Sequence, residues 1–228
     1  MWFSGIFILT LCVAGLYKLI RHNDYIIDNI QYYYPTVIFK LKTTENKIIL
    51  TIDDSPSPHT EKILDLLKKY NCHATFFVIG SYVEKYDPAG IIIKRIIDEG
   101  HEIGNHMNEN HAGIWRINSL ENSIKTCENT INKYAQSTKY FRPGSGFFNQ
   151  KMIDIVENLG YKLVLGNIYP YDPHLRFSGH HVNYIIDKAS NGSVIILHDL
   201  QYNILTFEML LPKLVENYDV VKLSDLDK

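Results

Sequence analysis

Asp53 and Asp54 stand side by side at the end of an apolar run, and His106, Arg142, Asp172 and His198 each follow another such run further along the chain. Neighbouring residues leaving a strand point in different directions, so the two acids are expected to take separate roles, one binding a cation and the other accepting a proton. The segment at 101–111, HEIGNHMNENH, supplies three histidines. His106 beside a carboxylate rim suits a divalent metal with nitrogen and oxygen ligands, most simply Zn²⁺. His198 closes the fully apolar run VIIL, which would partly desolvate its ring. Each residue alone also has a plain structural use. The acids could cap a helix after the turn SPSP, and His198 could be a core histidine bonded to a carbonyl. Chemistry is favoured because acids, histidines and an arginine arrive at one rim from separate strand ends.

The elements that must carry them alternate. Predicted strands at 47–53, 74–80, 101–104, 140–142, 162–165, 193–197 and 220–223 are separated by helical patterns at 60–70, 91–99, 119–134, 150–159, 182–189 and 205–217. Such alternation means βαβ units and a parallel sheet, whose strand C-termini converge on one mouth. The expected fold class is α/β: a distorted (β/α) barrel of about seven parallel strands, preceded by an N-terminal hydrophobic helix.

With 228 residues, 46% hydrophobic and a net charge of −2, the chain can bury a large core but offers no basic field for a nucleic-acid backbone. Its three cysteines, Cys12, Cys72 and Cys127, are too few for a disulfide scaffold, and whether the last two pair is open. Residues 2–17 carry no charged side chain, and a hydrocarbon core needs about 20 apolar residues. A signal-anchor or transmembrane segment is therefore expected over 1–21, then a spacer over 22–46, then a single folded domain over 47–228. This organisation implies a membrane-anchored or secretory-pathway protein, its orientation open.

Taken together, five segments resemble the polysaccharide deacetylases, the carbohydrate esterase group that shares the NodB homology domain. Residues 51–56 (TIDDSP) resemble that family's TFDDGP motif, and 101–106 (HEIGNH) the start of its HxxxH metal motif. Residues 141–146 (FRPGSG) are similar to FRPPYG, Asp172 sits where a later Asp is expected, and 195–199 (IILHD) is similar to LLHD. The resemblance implies metal-dependent hydrolysis of the N-acetyl amide of N-acetylglucosamine-containing glycans of the chitin or peptidoglycan type. Asp53 would be the general base, Asp54 and His106 metal ligands and His198 the general acid. Arg142 would hold Asp53, Asp172 would orient His198 or Arg142, a backbone N–H near Ser145 would meet the oxyanion, and Ile196 would line the pocket for the acetyl methyl.

The chain departs from the family pattern in ways that bear on that chemistry. The second metal histidine is expected four residues after the first, where this chain has Asn110, with His111 one place later. Either Asn110 through its carbonyl oxygen or a looped His111 would complete the site; on a continuous helix His111 would point roughly 140° away from His106. Ser55 replaces a glycine, Gly144-Ser145 replace Pro-Tyr, and no Trp follows Asp172. A catalytically weak or inactive carbohydrate-binding member of the same fold is the competing expectation.

Overall fold

The computed structural model describes residues 24–111 and 113–227. The hydrophobic segment expected at 1–21 lies outside the described residues, and among those described no helix is long and apolar enough to cross a membrane.

The chain begins with helix α1 (Asp24–Tyr33) and then alternates β1 (Lys47–Ser55), α2 (Thr60–Lys69) and β2 (Thr75–Val78). Helices α3 (Gly80–Tyr86) and α4 (Ile91–Asp98) lead to β3 (Glu102–Asn105), and α5 (Leu120–Ile131) to β4 (Tyr140–Phe141). Then follow α6 (Gln150–Asn158), β5 (Lys162–Leu163), α7 (Ser178–Lys188), β6 (Val194–His198), α8 (Asn203–Val215) and β7 (Asp219–Val221). The seven strands form one sheet in the order β5-β4-β3-β2-β1-β6, with β7 paired to the start of β1, and all the pairings are parallel.

The two-residue period of β1 sorts its side chains between two environments. Ile48, Leu50 and Ile52 face the helices in one cluster with Leu64, Leu67, Phe207 and Leu210. Ile49 faces the concave interior with Phe77 and Val194. Thr51 and Asp53 continue that inner face, which is how a hydrophobic strand delivers an acid to the mouth. The interior is tight: a side chain at Gly104 would come within 2.7 Å of the Phe77 ring. Outside, α2 closes over the sheet with Ile63, Leu64 and Leu67 buried, Glu61 in its first turn and Lys68 and Lys69 in its last, matching the helix dipole at both ends. Burial of each such side chain contributes about 1.5–3 kcal/mol.

The expected barrel is realised as a curled sheet that stays open between β5 and β6. The gap is spanned by isolated bridges, Ile38 with Val164, Lys40 with Ser193 and Ile168 with Ile195. Within the stretch expected as a spacer, residues 37–40 pack into this gap. Val37, Ile38 and Phe39 are buried, and Ile38 donates to the Leu163 carbonyl at 2.8 Å and accepts from Leu165 N–H at 2.8 Å. Gln31 at the end of α1 fixes this segment, its Oε1 accepting from the backbone N–H of Lys40 at 3.2 Å and its Nε2 donating to the Lys40 carbonyl at 3.1 Å. A three-residue apolar run has no period to read, so only its tertiary pairing reveals it. Cys72 and Cys127 are both buried and free, with burial pushing each thiol up to about 12, so neither is a reactive thiolate.

Candidate active site

A cavity of about 250 Å³ opens at the strand C-termini and is lined by Asp53, Asp54, His106, Arg142, Ser145, Ile196 and His198 among others. Asp53 and His198 are register partners on β1 and β6. Asp53 is buried, and its Oδ1 accepts from Arg142 Nη1 at 2.5 Å. The guanidinium is itself fixed on three sides: Nη1 also donates to Thr51 Oγ1 at 2.7 Å, Nε donates to the Val164 carbonyl at 3.2 Å, and the group lies 4.2 Å from the Phe77 ring centre. Removing either charge would leave the other buried without its counter-ion, a far larger loss than breaking a surface pair.

Asp54 leaves the alternation of β1. Its backbone takes a left-handed conformation (φ 63°), a region that Asp tolerates better than most residues, and the β1–β2 register shifts between Ile52 and Ser55. This turn brings Asp54 Oδ1 to 3.5 Å from His106 Nε2. His106 Nδ1 lies 2.6 Å from the Arg142 carbonyl. A carbonyl can only accept, so Nδ1 carries a hydrogen and Nε2 is the ring nitrogen turned toward Asp54. Burial disfavours charge on both groups, but the His106 contact and the charges of His106 and His198 hold Asp54 below the usual carboxylate range. Asp53 and Asp54 in turn outweigh the burial of His106 and raise its proton affinity.

On the opposite wall, Asp172 is fully buried. It accepts from the His198 backbone N–H at 2.9 Å and from His198 Nδ1 at 3.1 Å, which leaves Nε2 as the second ring nitrogen. Of the two partners open to Asp172 in the sequence, the structure pairs it with His198. Burial disfavours the imidazolium, yet the charge and hydrogen bond of Asp172, with Asp53 and Asp54 beyond, lift His198 to about 9. Asn203, at the start of α8, completes the arrangement by donating to Asp172 Oδ2 at 2.5 Å and to the His198 carbonyl at 2.8 Å. Sequence reasoning missed Asn203, since an Asn at a helix start reads as a cap. Asp199 turns away from the cavity and gathers the hydroxyls of Ser55, Ser57 and Thr60 at 3.0, 2.7 and 2.5 Å, tying β6 to the turn after β1.

Ser145 and Ile196 both line the cavity. Ser145 Oγ is folded onto the Gly144 carbonyl at 2.6 Å. Gly166 must be glycine on two counts: its φ is +73°, and a Cβ would lie 2.8 Å from Ile196 Cγ1. Asn110 reaches the cavity wall while its Nδ2 donates to the Tyr82 hydroxyl at 3.0 Å, leaving the amide oxygen as the donor it can offer. His111 is not among the lining residues, and its Nε2 lies 3.7 Å from Glu109 Oε2. The helical geometry weighed for His111 does not arise, because the chain after His106 is irregular, with Met107 left-handed at φ 68°.

Asp54 Oδ1 and His106 Nε2 form a carboxylate–imidazole pair suited to a divalent cation, with the ring tautomer already fixed by its outer hydrogen bond. Among the described residues no group of three His, Cys, Asp or Glu side chains is placed to hold a metal ion, and Asn110 lines the same cavity with a neutral amide. The residues fit a cation held by few protein ligands.

Residues 40–164 match the sequence profile of the family described as Polysaccharide deacetylase. The peptidoglycan-N-acetylglucosamine deacetylase of Bacillus cereus is 32% identical over 199 residues, covering 83% of this chain and 92% of that protein. Among solved structures, peptidoglycan deacetylase PdaC from Bacillus subtilis superposes with a TM-score of 0.73 at 29% identity, covering 81% of this chain and 91% of that one. A family 4 acetyl xylan esterase from Clostridium thermocellum, in complex with a cobalt ion, gives a TM-score of 0.70 at 30% identity over 78% of this chain and 89% of that one.

Proposed function

Because the chain belongs to the polysaccharide deacetylase family, a hydrolase group acting on carbon–nitrogen bonds, we propose that it removes the acetyl group from N-acetylglucosamine residues of a peptidoglycan- or chitin-type glycan with the aid of a divalent metal. The observation that carries this reading is the pairing of Asp53 and His198 across one cavity, the first held by Arg142 and the second by Asp172.

Asp54 and His106 would hold the cation, with the Asn110 oxygen as the further donor on their wall. A divalent cation bound there supplies Lewis acidity toward the acetamide carbonyl and the attacking water. Asp53, with Oδ1 occupied by Arg142, takes the water's proton at Oδ2. His198, charged at neutral pH, carries a proton on Nε2 and gives it to the departing nitrogen, since an amide nitrogen leaves only once protonated. The Ser145 hydroxyl is committed to Gly144, so the donor this turn offers the oxyanion is its backbone N–H. Ile196 walls the site of the acetyl methyl. Water is consumed, and the products are acetate and a free amino sugar.

The full chain supplied with Co²⁺ or Zn²⁺ should release acetate from peptidoglycan glycan strands or chitin oligosaccharides. No release from either overturns the proposal. Glycan binding that survives chelation and the Asp53→Asn substitution, without acetate, would favour the carbohydrate-binding alternative. The uncharged run at 2–17 supports membrane attachment of the full chain, and flotation with vesicles checks it.

A further inference from the structure

The reactive cavity opens onto a second one of different chemistry. Asp54 and Asn110 are common to both, and the second continues along Ser57, His59, Tyr82, Tyr86, Arg176 and Tyr202. Three tyrosines on one cavity offer flat, partly polar faces of the kind that sugar rings pack against. The rings are held in place. Tyr82 and Tyr86 meet edge-on at 5.5 Å, the Tyr82 hydroxyl accepts from Asn110, and the start of α7 is tied to Tyr202 where Ser178 Oγ donates to its carbonyl at 3.4 Å.

Among the described residues Arg176 is the one strong cation lining this cavity. It is exposed, its guanidinium lies 5.3 Å from the centre of the Tyr202 ring, and among the described residues no carboxylate forms an ion pair with it. The acids on the same walls are already engaged: Asp54 faces His106, and Asp199 is buried under three hydroxyls. An arginine laid over an aromatic face, with its planar donors open, is suited to a carboxylate, which it can grip through two parallel hydrogen bonds.

We propose that Arg176, on its Tyr202 platform, forms an anion subsite for a carboxylate borne by the sugar next to the reacting one. The inference rests on the deacetylase reading and narrows it: the preferred substrate is an acidic N-acetylated glycan, with neutral chitin-type chains the poorer one. Arg176 acts here as a specificity residue and takes no part in amide cleavage.

The test uses the full chain with two tetrasaccharides of alternating N-acetylglucosamine and N-acetylmuramic acid, identical except that the lactyl carboxylates of one are converted to carboxamides. The carboxylate form should show a KM about fivefold lower at low salt, with kcat little changed and the advantage shrinking as salt rises. Arg176→Ala and Arg176→Gln should erase that difference while leaving kinetics on the carboxamide form as they were, and Arg176→Lys should restore part of it. Calorimetric binding of the same two glycans to parent and Arg176→Ala proteins runs alongside. Absence of acetate release with the carboxylate preference intact in binding would defeat the deacetylase reading alone. Equal binding of both glycans by the parent protein, or a preference that persists in Arg176→Ala, would overturn the subsite.

Discussion

His106 and His198 face the same cavity, and each anchors its ring through Nδ1, but to different partners. His198 points Nδ1 at the buried carboxylate of Asp172, whereas His106 donates to the backbone carbonyl of Arg142. A carboxylate behind the ring adds a negative charge that keeps the imidazole protonated, which suits an acid. A carbonyl fixes the same tautomer without that charge and leaves a lone pair forward, which suits a ligand. The proton affinity His106 does gain comes chiefly from Asp53 and Asp54, on the side where a bound cation would compete with the proton, with a smaller share from the Arg142 carbonyl. Two histidines of one mouth thus stand in different electrostatic settings, set by what lies behind each ring.

Exchanging the carboxylate behind His198 is the most damaging way to break this contrast. Asp172→Asn should lower kcat by about a thousandfold, because the ring loses the charge that keeps it an acid. In the parent the basic limb of the pH–rate profile should fall near pH 9, and in Asp172→Asn it should move toward the ordinary histidine value. The sign for stability follows. A raised folded-state pKa means the charged His198 stabilises fully below about pH 6.5, and this contribution fades as pH climbs through about 9, which thermal melts across that window can read.

Next in size is the ion pair of Arg142 with Asp53. Arg142→Met should cost about 3 kcal/mol of stability by leaving Asp53 buried and unpaired, measured by denaturant titration. The ligand side should respond more gently. Asn110→Asp should tighten Co²⁺ binding about tenfold by supplying a third strong donor, as read by calorimetry. Lowering the pH from 7 to 6 should weaken that binding severalfold, since protons compete for His106. His111→Ala should change it by less than about twofold, its ring facing Glu109 instead of the cavity.

Much of this arrangement is legible before any coordinates. The run KIILTID announces a strand with an acid at its end, and five such ends announce a mouth. What stays hidden is pairing at a distance. Nothing local says whether Asp172 serves His198 or Arg142, and Asn203 looks like an ordinary helix cap. The stretch from α1 to Lys40 has no period because it fills a seam between two strands instead of forming an element of its own. The short helix α3 was likewise hidden, its seven residues following directly on β2 with only Gly80 and Val83 buried. Whether Asn110 or a looped His111 reaches the site depends on the path of the chain after His106, and the left-handed Met107 that sets this path leaves no mark on the sequence pattern.

The central claim is that the pair Asp54 and His106 holds a divalent cation on which deacetylation depends. The measurement that tests it most directly is a titration of chelator-stripped full-length chain with Co²⁺, following bound metal and acetate release in the same samples. Release should rise in step with the first equivalent bound, and both should vanish in Asp54→Asn and in His106→Ala. Undiminished acetate release from the stripped protein, or metal binding indifferent to both substitutions, would contradict it.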